Sequence, residues 1–207
     1  MEEFFMQRRF PMTTRVQEKG LLHTLRATGE PRMGRLERCM LRSAVFDPAD
    51  KVLDANVCSG QVAEYLLHHM ECQVCGVSDR MEEVRRTRAR MYSGDFVYAA
   101  MGDIPWQDDT FDTVLLHPAE CSPEALRLQL AECNRVLKPG GQLVLGLRNL
   151  SVPVRKLRSL LWETAPEEEY LTLKKANTIL KSCGFDHLST LRAGIGSAVF
   201  IGWKKSE

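Results

Sequence analysis

From Lys51 onward the chain alternates short apolar runs with stretches whose apolar residues recur every three or four positions. The runs KVLDA (51–55), CQVCGVS (72–78), DFVYAAM (95–101), FDTVLLH (111–117) and QLVLGLR (142–148) read as buried strands. Between them lie helical patterns. In SGQVAEYLLHHM, Val62, Tyr65, Leu66 and Met70 share a face, with Ser59 expected as the N-cap. The Arg-rich segment Met81 to Met91 and SPEALRLQLAECNRVL (122–137) follow the same rule. The second opens on Ser122 and Pro123, buries Leu126, Leu130, Cys133 and Leu137, and is expected to stop at KPGG. TLKKANTILKSCG (172–184) is the last helix, and HLSTLRAG and SAVFIGWKK, joined through a glycine-bearing turn, read as an antiparallel hairpin.

Strands separated by helices of this length require right-handed crossovers and a mostly parallel sheet covered on both faces. The fold class expected is therefore α/β, a doubly wound Rossmann-like sheet of seven strands that ends in an antiparallel hairpin. Residues 1–48 read as a helical lead-in of two or three short helices, with Met33, Leu36, Met40 and Val45 at helical spacing. Residues 49–207 form the Rossmann-like part, and the whole is expected to be one domain.

Composition narrows the partners. With 207 residues, 27% charged and a net charge of +1, nothing global argues for nucleic acid. Arginines gather in RRTRAR (85–90) and between Arg32 and Arg42, where a solvated helix face is the plainer reading and an anionic partner the other. No apolar run is long enough to span a bilayer, and MEEFFMQRRFPM lacks the core of a signal peptide, so a cytoplasmic protein is expected. Seven cysteines at irregular spacing suit reduced thiols. Cys72 and Cys75 sit three apart in a strand pattern, so they face opposite ways and cannot chelate one ion. Cys58 and Cys121 follow strands expected to be neighbours; with His117 they could hold a soft metal, but two ordinary small residues are the plainer reading and no metal is expected.

In an open parallel sheet the ligand crevice lies beyond the carboxyl ends of the strands, where the winding reverses. The residues after each strand carry the chemistry: 54–60, 78–79, 99–101, 117–121 and 148–151. The motifs VLDANVCSG, CGVSDRMEEV, GDIPWQDDTFDTVLL, AECNRVLKPGGQLVL and KSCGF, from about Arg35 to Lys205, resemble the class I S-adenosylmethionine-dependent methyltransferases. They are most similar to the small-molecule type that includes the ubiquinone and menaquinone C-methyltransferases.

The resemblance implies S-adenosylmethionine as cofactor, and it assigns Asp54, Ala55, Asn56, Cys58 and Gly60 to the loop after the first strand. There the family carries Gly-x-Gly-x-Gly, and this chain keeps only the last glycine. Asn56 tolerates the positive φ a glycine supplies; Cys58 brings a side chain where none is usual. Ser78, with Asp79 next to it, stands where the family has an acidic residue for the ribose hydroxyls; a bulge would be needed to bring Asp79 in. Ala100, followed by Met101, stands where an acidic residue meets the adenine amino group. At about 1 kcal/mol per lost hydrogen bond, binding would weaken by one to two orders of magnitude.

His117 ends the fourth strand at the expected transfer centre and is the candidate for accepting a proton from the acceptor. His23 is a weaker candidate to line the pocket; His68, His69 and His187 are expected at the surface or in packing. Trp106 is expected to pack in the core, and residues 151–170, with Arg155, Lys156 and Arg158, stand where a lid would be. Two functions follow. One is methyl transfer to a small-molecule acceptor; the other is a non-catalytic protein of the same fold that binds a protein partner. Base methylation of nucleic acid is disfavoured, since HPAE (117–120) lacks the motif such enzymes carry there.

Overall fold

The computed structural model describes residues 33–91, 93–117, 122–148 and 171–206. The elements run α1 (Arg35–Ser43), β1 (Lys51–Ala55), α2 (Gln61–His69), β2 (Gln73–Ser78), α3 (Met81–Arg90), β3 (Asp95–Tyr98), β4 (Phe111–Leu116), α4 (Pro123–Val136), β5 (Leu137–Leu147), α5 (Leu173–Ser182), β6 (Phe185–Gly194) and β7 (Ser197–Lys204). They build a seven-stranded sheet of order β3-β2-β1-β4-β5-β7-β6. The first five strands are mutually parallel, and β7 runs antiparallel to both neighbours. The winding reverses between β1 and β4, the place where such sheets open a crevice.

The strand pattern builds two cores by alternation. Leu53, Ala55, Cys75, Val77, Val114, Leu116, Leu143 and Leu145 face one side, against Leu126, Leu130 and Cys133 of α4 and Ile179 and Leu180 of α5. Val52, Val74, Leu115, Val144 and Val199 face the other, against Leu36 and Met40 of α1, Val62 and Leu66 of α2, and Val84 of α3. Cys72 and Cys75 fall in separate clusters, as thiols three apart in extended chain must. Trp106 packs edge-on against Phe111, with ring centroids 5.6 Å apart.

Two expectations need correction. Ser59 is not the cap of α2: Gly60 takes that position in the left-handed region, at φ 73°, and no side chain caps the helix. Nor does β5 begin at Gln142. It starts at Leu137, because the pairing with β4 jumps from Phe111–Leu137 to Thr113–Gln142, so the KPGG segment is an outward bulge within the strand rather than a stop before it.

α1 lies close on the sheet. A Cβ at Gly146 of β5 would come within 2.5 Å of the Met40 sulfur, so the missing side chain sets how near the helix approaches. Residues 1–32, where the rest of the helical lead-in is expected, and with them His23, lie outside the described residues, as do Cys121 and the 151–170 segment. Among the described helices none is long and apolar enough to cross a membrane.

Candidate active site

The crevice is organised around a buried acid–imidazole pair. Asp54 is the fourth residue of β1, and its partner across the ladder is Leu115. The amide of His117 donates to the Ala55 carbonyl at 3.1 Å, extending that ladder one step beyond β4. His117 is therefore two residues past Leu115 and, by strand alternation, on the same face as Asp54. Its Nε2 comes within 3.0 Å of Asp54 Oδ1, with both side chains almost wholly buried. The contact is off-axis, since neither atom makes a well-aligned hydrogen bond, so the attraction is mainly between charges.

A third acid arrives from the lead-in. Glu37, in the first turn of α1, bonds through Oε1 to Arg148 just past β5, while its Oε2 is buried without a hydrogen bond. Glu37, Asp54 and His117 line one pocket of about 60 Å³ together with Gly34, Cys58 and the residues opening α2. Burial alone would lower the pKa of His117. The negative charges of Asp54 and, more weakly, Glu37 outweigh burial and the opposing Arg148, and the net shift is upward.

The loop after β1 bends as its composition requires. Asn56 adopts φ 67° and Gly60 φ 73°, so two of the three positions that favour glycine still carry residues able to turn left-handed. Ala55 is buried at the end of β1. The Cys58 thiol turns back to donate to the Asn56 carbonyl at 3.4 Å. Although the residue as a whole is exposed, desolvation first, then Asp54, Glu83 and Glu37, push its pKa to about 11. It is thus a protonated thiol at neutral pH and neither a nucleophile nor a ready metal ligand. No side chain caps α2, and the free amides of a helix's first turn favour an anion.

At the flank of the crevice, β2 pairs regularly with β1 and β3 as far as Ser78, so no bulge turns Asp79 inward, and Asp79 is exposed. Ser78 is fully buried and donates to Glu83 Oε2 at 2.8 Å, while accepting from the Arg80 amide. The carboxylate beside the end of β2 thus comes from the first turn of α3. Glu83 was not among the residues singled out from sequence. Its position five residues after Ser78 across a strand–turn–helix junction is the signal that could have found it. Ala100 is exposed and has no polar side chain to offer, and Met101 is buried in the core. His68, His69 and His187 are exposed. Among the described residues no group of three or more His, Cys, Asp or Glu is arranged to hold a metal.

A larger hollow, about 1060 Å³, lies at the opposite, amino-terminal end of the parallel strands, lined by residues such as Asp112, Lys138, Gly141 and Trp203. Among its charges, Lys138 pairs with Asp112 and Lys205 with Asp186. None of the buried polar atoms without a partner, among the described residues, lies in it. The small carboxyl-end pocket, not the large hollow, is where convergent chemistry sits.

Known proteins share the fold. Residues 53–145 match the family model described as a methyltransferase domain. The demethylmenaquinone methyltransferase of Tropheryma whipplei is 27% identical over 146 residues, 58% of this chain and 59% of that protein. A SAM-dependent methyltransferase from Methanosarcina mazei superposes with a TM-score of 0.65 at 19% identity, over 81% of this chain and 98% of that one. Human N-acetylserotonin methyltransferase, in complex with SAM, superposes at 0.63 with 16% identity, over 82% of this chain and 52% of that one. Residues 53–145 are thus similar to the methyltransferase-domain family, and the fold is the one these solved methyltransferases share. The chain spans 38–59% of the length of the curated methyltransferases it matches.

Proposed function

We propose that this protein transfers a methyl group from S-adenosylmethionine to a small-molecule acceptor, with His117 receiving the acceptor's proton. The carrying observation is the buried Asp54–His117 pair at the carboxyl ends of the two central strands, inside the region matched to the methyltransferase family. The residues present fit the cofactor's charge. Three buried polar atoms without hydrogen bonds, on Glu37, Asp54 and His117, surround a pocket at the crevice, and two of the three belong to carboxylates suited to a cationic ligand. Ser78 and Glu83 serve the ribose hydroxyls, and the open amides of α2 the carboxylate.

When bound, the cofactor supplies an electrophilic methyl group on a positively charged sulfur. The protein's part is orientation, water exclusion and proton handling. Asp54 beside Nε2 favours the neutral tautomer that keeps its hydrogen there, which leaves the lone pair on Nδ1 for the acceptor's proton. The burial of the pair keeps water from competing for that nitrogen. The curated relatives' names, which include a demethylmenaquinone methyltransferase, a 27-O-demethylrifamycin SV methyltransferase and a sarcosine/dimethylglycine N-methyltransferase, support a small-molecule acceptor.

Calorimetry with S-adenosylmethionine and S-adenosylhomocysteine tests the reading, and binding in the micromolar to 0.1 mM range is expected. No heat and no thermal shift at millimolar ligand would leave the second reading, a non-catalytic partner-binding protein. That reading is favoured by the exposed Ala100, which gives adenine no acceptor, and by the small volume of the pocket.

A further inference from the structure

We propose that His117 is held as a cation in the empty crevice and gives up a proton when a positively charged sulfonium cofactor enters, so that the base is armed by the methyl donor and not by the demethylated product. The proposal rests on the methyltransferase reading and deepens it.

The geometry carries it. Three charged groups meet at the pocket, Asp54 from β1, His117 after β4 and Glu37 from α1, and a fourth, the exposed Arg148 after β5, binds Glu37 from outside it. Arg148 is committed to Glu37 Oε1. Among the described residues, the positive group beside Asp54 is the imidazolium of His117, 3.0 Å away and as deeply buried. With His117 charged the four groups sum to zero; with it neutral, a buried carboxylate stands without a counter-charge, which is costly. The Cys58 thiol, the other titratable group lining the pocket, is pushed to about 11 and does not take part near neutral pH.

A second cation brought among these groups changes the balance. It faces the same carboxylates and repels the imidazolium, and a like charge at contact range moves a titration by about one to three pH units. One ring proton leaves to solvent, its electron pair stays on the nitrogen, and Asp54 retains the proton on Nε2. The net charge of the pocket is then unchanged, with the sulfonium in place of the imidazolium. S-adenosylhomocysteine shares every other group of the cofactor but carries an uncharged thioether, so it leaves His117 protonated. After transfer the sulfur is uncharged and His117 carries the proton taken from the acceptor, so the imidazolium again balances the pocket.

Proton release is measured by titrating each ligand into the protein calorimetrically at pH 7 in buffers of different ionisation enthalpy. The slope of heat against that enthalpy counts protons. Release approaching one proton for S-adenosylmethionine and close to none for S-adenosylhomocysteine is expected, and H117Q should bind S-adenosylmethionine with no release. Equal release for the two ligands, or an unchanged slope in H117Q, overturns the proposal while leaving the methyltransferase reading intact. Absence of binding by either ligand overturns both. Should H117Q not fold, the imidazole resonances of the wild-type protein read the same question. Movement of one buried histidine to its neutral position with S-adenosylmethionine alone supports the linkage, and identical spectra with both ligands refute it.

Discussion

The centre and the flank of the crevice are built to different standards. At the centre, between β1 and β4, Asp54 and His117 are buried against each other, and the half-buried Glu37 of α1 beside them is bound by the exposed Arg148. At the flank, past β2 and β3, the chain offers a serine, a borrowed glutamate and an exposed alanine. The difference teaches that the flank can lose polar groups at little cost, whereas the centre is costly to disturb, because the buried Asp54 and His117 are each other's partner.

The largest effect that tests this contrast is on stability. Asp54→Ala should cost about 3 kcal/mol by leaving His117 buried beside no partner, whereas Ser78→Ala at the flank should cost about 1 kcal/mol; urea denaturation measures both. The same pair makes stability depend on pH. The folded-state pKa of His117 lies above its unfolded value, so the stabilisation is complete below about 6.5 and is lost as pH rises through the folded value. A D54A variant should lose that dependence.

Reactivity comes next. With its thiol at about 11, Cys58 holds little thiolate at pH 8. Its alkylation in the folded protein should be about thirtyfold slower than in urea, and comparable rates would mean that the acidic surroundings of the centre are not felt at the sulfur. At the flank, Glu83→Gln should weaken S-adenosylhomocysteine binding about tenfold, the scale of one charge-assisted hydrogen bond. An unchanged affinity would show that the carboxylate borrowed from α3 does not reach the ligand. Smallest of all, Ala100→Asp should tighten binding about fivefold by restoring an acceptor. A loss of affinity there would mean that the adenine end is closed to a longer side chain.

How much of this could be read from the chain differs by level. The parallel strands, the helices between them and the final hairpin follow from apolar runs and periodicity, which act over a few residues. The start of β5 does not, because Pro139, Gly140 and Gly141 signal a turn and the bulge is decided by pairing with β4. The Gly60 cap was hidden behind Ser59, the stronger capping residue, since a left-handed entry is a property of the whole loop. Asp54 and His117 could each be singled out, but their contact required the alternation of two neighbouring strands to be combined. Glu37 carries no local signature, and Glu83 only its spacing from Ser78. They join the crevice because α1 and α3 pack where they do, and helix placement is settled by the core.

Gly146 gives that last point an evolutionary reading. The place of Glu37 at the cleft depends on how closely α1 seats against β5, and the seat is cut to the Met40 side chain. Positions 40 and 146 should therefore drift together in relatives of this protein: an alanine at 146 would be accepted alongside a shorter residue at 40. A change there would reach the reacting groups through the tilt of one helix, far from any atom of the ligand.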